Sequence, residues 1–237
     1  EAEWREAVEV GDLERARTKA MQTSRLTGEM VEQSKRLLDL LGMPWVQAPA
    51  EGEAQASAMA RAGAAWGVAS QDHDALLFGS PVLVKNLAIT GRRKLPRKNV
   101  FVEVEPEEIS LDATSSRLGV TREQLVDIGI LVGTDFNEGV KGIGPKKALA
   151  GIKKHGRAEG VLTEAGVEVD GLDEVRAIFL EPRVDPSGPV AWRDPEPQKV
   201  KGMLCDEFDF SPDRIEPALG KFLEARKAAG QASLDAF

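Results

Sequence analysis

The sequence predicts a mixed α/β core followed by an all-helical region, and three observations carry that expectation. Short β-rich runs (Val68-Ala69-Ser70, Val82-Leu83-Val84, Val100-Phe101-Val102) alternate with helical stretches through the first half, as strands and helices of one sheet do. Beyond residue 112 the strand signal disappears and capped helical patterns replace it. The composition, 237 residues with 42% apolar and 30% charged, suits a globular chain with a sizeable core and excludes a disordered one. No apolar run approaches the ~18–20 residues of a spanning helix, and no signal-peptide pattern opens the chain. The single cysteine, Cys205, excludes an internal disulfide framework and suits a reducing, cytoplasmic compartment.

The elements follow in order. Glu1 to about Ala20 is charge-rich with few apolar anchors and reads as a solvated helical segment. Thr27 is an N-cap for a helix carrying Met30, Val31, Leu37, Leu38 and Leu41, which Gly42 and Pro44 stop. Trp45-Val46-Gln47-Ala48 reads as a short buried strand ending at Pro49. Glu53 to Ala65 is Ala/Met-rich and helical. Thr121 to Gln124 is a capping box opening the apolar run Leu125 to Val132. Pro145 starts a helix that Gly156 ends. Further helices are expected at Leu172–Leu180, Glu196–Asp206 and Pro212–Ala228, the last capped by Ser211, with a Pro/Asp/Gly-rich loop over 181–197.

The net charge of −8 argues against a protein that coats nucleic acid indiscriminately. Two tracts run the other way. Lys85 to Lys98 and Lys141 to Arg157 each hold six basic residues and no acidic one. Either alone reads as a solvated face; together they could hold phosphates locally.

Two acidic pairs carry the chemistry. Glu51-Gly52-Glu53 follows the run Trp45–Ala48, and Asp72-His73-Asp74 follows Val68–Ser70. Parallel sheets place their sites at the carboxyl ends of strands, where two such pairs would repel strongly without a cation. Oxygen-only ligands favour Mg²⁺ or Mn²⁺, and two such ions can drive phosphodiester hydrolysis. Either pair alone reads more simply as helix-capping acids. A second constellation is Gly142-Ile143-Gly144-Pro145-Lys146-Lys147-Ala148, a tight hairpin between two helices. Its glycines permit close backbone approach, and the helix N-terminus presents free N–H groups to a phosphate, without base selectivity. A third is terminal: Gln231, Leu234 and Phe237 are spaced as anchors of a short partner-binding peptide.

These elements, in this order, resemble the flap endonuclease family, especially its archaeal members, within the 5′-nuclease superfamily. Ala48 to Ala56 looks like the family's internal acidic motif, Ala69 to Pro81 its Asp-x-Asp motif, and Leu131 to Ala148 its third acidic residue, Asp135, running into a helix–hairpin–helix. Gln231 to Phe237 is similar to the family's sliding-clamp peptide, although it ends on one aromatic where the family usually has two. The resemblance implies a partial 5′-nuclease (PIN-like) α/β sheet core followed by a helical region with a helix–hairpin–helix. It divides the chain into a remnant of a helical arch (1–25), the internal nuclease core (26–112), the helix–hairpin–helix region (113–180), a C-terminal loop and helices (181–230) and the clamp peptide (231–237). It implies a two-ion Mg²⁺ site with Glu53 holding one ion and Glu51 near it, and with Asp72 and Asp74 holding the second and Asp135 near that one. The loop Gly139–Gly144 would match a monovalent-cation (K⁺) site, and Gly142, Gly144, Lys146 and Lys147 would grip DNA.

The function so implied is hydrolysis of a phosphodiester near the junction of a 5′-flap DNA, in replication and repair, by a monomer that meets the sliding clamp and no membrane. For an archaeal source, location at the nucleoid would follow. Family members also carry an N-terminal half with two further metal-binding aspartates. Glu1 to Gln22 resembles the later part of the arch, so the chain is expected to lack that half. A non-catalytic module that binds DNA and the clamp is the alternative. A phosphatase built on Asp72-His73-Asp74 is a poorer reading, because no Thr/Ser-then-Lys order follows it. His73 is expected to point away from the carboxylates, His155 to meet the end of its helix rather than a metal, and Cys205 to lie in the core. The four tryptophans (Trp4, Trp45, Trp66 and Trp192) show no spacing for base stacking.

Overall fold

The structure is a computed structural model describing residues 10, 26–88, 91–94, 100–185 and 190–234, the side chains of 92–94 and 230–234 excepted. The chain divides into two compact units, one of 46–189 and one that joins 1–45 to 190–237.

In the smaller unit, which joins 1–45 to 190–237, helix α1 (Gly28–Leu40) begins at Thr27, whose hydroxyl accepts the Met30 N–H, as the sequence predicts. Trp45–Ala48 is not a strand. Pro44 and Pro49 flank it, and Trp45 stays 39% exposed. The Trp45 indole N–H donates to Asp39 (3.2 Å) and Lys35 lies over its ring.

The larger unit contains α2 (Gly52–Arg61), strand β1 (Val68–Ala69), the short helix α3 (Asp74–Leu77), β2 (Val82–Lys85), β3 (Gly91–Lys94), β4 (Phe101–Val104), β5 (Glu107–Ser110) and α4 (Leu111–Leu118). β1 runs parallel to β2, with Val68 opposite Leu83, and β5 closes the other edge of β2 antiparallel, with Leu83 opposite Ile109. β3 and β4 form a separate two-stranded ribbon. Val68, Ala75, Leu76, Leu83 and Ala60 make one buried cluster beneath this sheet.

Helices follow: α5 (Arg122–Val132), α6 (Pro145–His155), α7 (Ala158–Ala165) and α8 (Leu172–Leu180). The Thr121 capping box forms as predicted, with Gln124 returning its amide oxygen to the Thr121 N–H. Pro145 and Gly156 bound α6. Leu131, Ile152, Val161 and Leu162 are buried between α5, α6 and α7; Val126, Ile130, Phe78 and Phe179 fill the space where α5, α8 and α3 meet. A charged knot lies inside the helical packing. Asp127 is 3% and Arg176 8% exposed. Asp127 accepts from Arg176 Nε (2.8 Å) and from the Ala158 N–H at the start of α7 (2.9 Å). Burial opposes the Arg176 charge, but the hydrogen bonds and charge of Asp127 and Glu159 outweigh it and raise the guanidinium's pKa.

The smaller unit continues with α9 (Pro197–Lys201), which runs into a π-helical turn at Gly202–Glu207, and α10 (Pro212–Leu234). Leu37, Leu41, Val200, Leu204, Leu219 and Phe222 enclose an apolar cavity of about 210 Å³. Cys205 sits in the π-helical turn, half-buried rather than in the core. Trp192 packs its ring 4.3 Å from the Arg226 guanidinium. The chain does not break at Gly230; α10 continues through it to Leu234.

Candidate active site

The acidic residues come together by two routes. Asp72 and Asp74 stand just past the carboxyl end of β1, which Ser70 prolongs by donating its N–H to Val84 C=O (3.2 Å). The following turn folds on itself, with Asp72 Oδ1 accepting the Asp74 N–H (3.3 Å). Asp72 thus closes a turn ahead of α3 and does not cap it: the N-cap position is His73, with no side-chain cap bond. The sequence predicts that Glu51 and Glu53 follow a strand at Trp45–Ala48, but no strand forms there; they instead open α2, which packs on β1 and α3. Glu51 occupies the N-cap position and makes no side-chain cap bond. Glu53 accepts a hydrogen bond from the Ser70 hydroxyl.

Asp74 reports the electrostatics. Its pKa is pushed up to about 6, first by burial and then by the charges of Asp72, Glu53 and Asp135. Four of the five predicted carboxylates thus share one field. Glu51 lines a cavity of about 380 Å³ floored by Ala54, Phe78 and Phe136. Among the described residues no three His, Cys, Asp or Glu side chains converge closely enough to hold a metal ion by themselves. An oxygen-only set of few carboxylates suits hydrated Mg²⁺, which keeps several waters and takes further oxygens from substrate phosphates. The donor chemistry fits that ion; a closed protein cage is not what these residues build.

The far end of the same turn is clamped by two arginines. Arg61 donates to Phe78 C=O, while Arg122 donates to Leu77 C=O (3.0 Å) and Phe179 C=O (2.7 Å). Burial, followed by the neighbouring Arg61 charge, lowers the Arg122 pKa. His73 does not lie in an extended segment, the premise for directing it away; it is the helical residue before α3. Its Nε2 lies 3.1 Å from Lys85 Nζ. His155 pairs with Glu164 (2.6 Å) rather than with the helix end.

The glycine-rich connection between α5 and α6 is ordered by its own contacts. Thr134 and Asn137 bridge each other through backbone and side chain, and Asn137 also donates to Ile130 C=O (2.8 Å). Gly139 and Gly142 take left-handed φ values of 72° and 85°. A Cβ at Gly139 would strike the Val132 carbonyl at 2.4 Å, whereas one at Gly142 or Gly144 would meet nothing within 4 Å. Gly139 is therefore required by the fold, and the other two leave their outer side open. Gly144 caps α6 without a side-chain bond, and Pro145 follows. Lys146 and Lys147 are exposed, and Lys147 Nζ donates to Gly142 C=O (2.9 Å). At the C-terminus Gln231 and Leu234 lie in the last turn of α10, and Phe237 lies outside the described residues.

Sequence reasoning overlooked Ser70, Arg61, Arg122 and Gln55. Only Gln55, buried inside an otherwise small-residue helix face, left a signal. Its amide donates to Asp185 C=O (2.9 Å) and accepts the Asp185 N–H (2.7 Å).

Comparison with known proteins agrees with this layout. Residues 42–135, which include all five candidate carboxylates, match the XPG I-region. The chain is 52% identical over 241 residues to flap endonuclease 1 of Ignicoccus hospitalis, covering 100% of this chain and 69% of that protein. It is 51% identical to flap endonuclease 1 of Aeropyrum pernix, with 99% and 69% covered. The solved flap endonuclease-1 of Methanococcus jannaschii superposes with a TM-score of 0.71 at 40% identity, over 90% of this chain and 62% of that one. The catalytic core of Rad2 shares the fold, with a TM-score of 0.69 at 19% identity. The chain spans about two thirds of the length of these relatives. With identity of this order along its whole length, and with the acidic turn and glycine-rich connection in the predicted order, the chain belongs to the flap endonuclease family.

Proposed function

We propose that the protein is a structure-specific, Mg²⁺-dependent endonuclease that cuts DNA near the junction of a 5′ flap. The observation that carries this reading is the shared field of Glu53, Asp72, Asp74 and Asp135 at the carboxyl end of β1. These four would hold the divalent ions, and Glu51 would act from the edge of the neighbouring cavity. When bound, the ions supply the positive charge and polarisation that phosphodiester hydrolysis needs. The carboxylates hold that charge in place and keep a second anion out until a cation is present.

Binding of the duplex is assigned to the α5–α6 connection, read as a helix–hairpin–helix. The unoccupied outer sides of Gly142 and Gly144 let a phosphate approach the backbone, and the uncapped start of α6 offers N–H groups and a favourable dipole. Lys146 adds charge, and Lys147 can exchange Gly142 C=O for a phosphate oxygen. The loop Gly139–Gly144 is also the place for a K⁺ ion, and Gln231, Leu234 and Phe237 would anchor a sliding clamp.

One paired experiment tests the reading. A labelled 5′-flap duplex is incubated with the protein in Mg²⁺ and in EDTA, then run on native and denaturing gels. Mg²⁺-dependent cutting at the junction would support the nuclease reading. A shifted band with no cutting in any divalent ion would replace the nuclease with a DNA-binding module.

A further inference from the structure

We propose that Ser70 is a positioning residue that fixes the distance between Glu53 and the Asp72–Asp74 turn and thereby sets the site's affinity for a divalent cation. The inference deepens the reading of that site as cation-binding and rests on it. A serine hydroxyl has one donor and two acceptor lone pairs. Here the donor goes to Glu53 Oε1 on α2, and one lone pair accepts the Asp72 N–H at 3.0 Å. Among the described residues no other side chain is bonded to both acidic segments.

The hydroxyl stands on a rigid support, because the Ser70 N–H is itself bonded to Val84 C=O on β2. Ser70 thus transfers the geometry of the sheet to two carboxylate-bearing segments that approach from different elements. It also settles which Glu53 oxygen is engaged: Oε1 is taken, and Oε2 has no hydrogen-bond partner among the described residues. A hydroxyl bonded to an ionised carboxylate is a strong, directional contact. Hydrogen-bond partners of metal-binding carboxylates commonly change metal affinity by about 10–100-fold when removed. Alanine at 70 would free Glu53 to follow the repulsion of its neighbours; threonine keeps Oγ and suits the strand end.

The test is Mn²⁺ binding to the full chain without DNA, read as free Mn²⁺ by electron paramagnetic resonance, with melting temperatures measured in parallel. Ser70→Ala is expected to weaken Mn²⁺ binding about tenfold, and Ser70→Thr to bind as the wild type does. Ser70→Cys, which keeps the volume with a much weaker donor, should follow Ser70→Ala and stands in for it if the alanine variant melts early. Equal affinity in wild type and Ser70→Ala overturns the proposal, as does an equal loss in folded Ser70→Thr. A wild-type chain that binds no Mn²⁺ overturns it together with the cation reading. A chain that binds Mn²⁺ through Ser70 but cuts no flap removes only the nuclease assignment.

Discussion

Arg176 Nε donates to Asp127 Oδ1 at 2.8 Å in the interior of the helical packing, and the second oxygen of the same carboxylate caps α7. One side chain therefore fixes α8 and α7 to α5. Removing Asp127 leaves the guanidinium only its more exposed partners Glu159 and Asp173 and uncaps α7, at up to about 3–5 kcal/mol. Asp127→Ala is expected to lose stability of that order in urea unfolding. Glu159→Gln, which alters an exposed partner of the same guanidinium, should cost less than about 1 kcal/mol.

Asp74 gives a pH prediction. Its folded pKa of about 6 lies above the ordinary carboxylate value of about 3.9, so the folded state binds the proton more tightly than the unfolded one. The associated stability is fully present below about pH 4 and is lost as pH rises through 6. In EDTA, the wild type should lose stability across that window and Asp74→Asn should not. Allowing for solvent screening of a half-exposed group, the variant should be about 1–2 kcal/mol more stable at pH 7.5. Thermal melts at pH 5 and 7.5 check this, and Mg²⁺ should raise the wild-type melt more than the variant's.

Two glycines of the α5–α6 connection should respond oppositely. Gly139→Ala places a Cβ against the Val132 carbonyl at a φ of 72° and is expected to cost about 2 kcal/mol or more. Gly144, at φ −94° with open space around it, should accept alanine within about 0.5 kcal/mol. The same Gly144→Ala change should weaken duplex binding, measured by fluorescence anisotropy, because its methyl group fills the space assigned to a phosphate.

Gln55 holds Asp185 through both backbone groups. Gln55→Glu keeps the acceptor and removes the donor, leaving Asp185 C=O opposite a carboxylate. A loss of about 1–3 kcal/mol is expected, together with faster hydrogen exchange at the Asp185 amide.

How legible the site was in sequence depends on the range of the interaction. Asp72, Asp74 and the hairpin glycines were readable because their chemistry is local: short spacing, a strand before, a helix after. The capping box at Thr121 is local for the same reason. Trp45–Ala48 misled because an apolar run between two prolines looks like a buried strand, yet here the ring is held at the surface by Lys35 and Asp39. β5 was missed because Glu107 and Glu108 interrupt any apolar alternation; its pairing with β2, not its composition, makes it a strand. Ser70, Arg122 and the Asp127–Arg176 pair act across 17 to 57 positions of sequence, and nothing in their neighbours announces a partner so distant.

The turn α3 is only four residues long, about 6 Å of helix, with carboxylates at one end and two guanidinium-held carbonyls at the other. So short a body cannot bend; it can only tilt as a whole. Arg61 ties the far end of this body to α2, and Arg122 ties it to α5 and α8. The placement of Asp74 thus depends on the packing of the helices around α3 as well as on the sheet that precedes it.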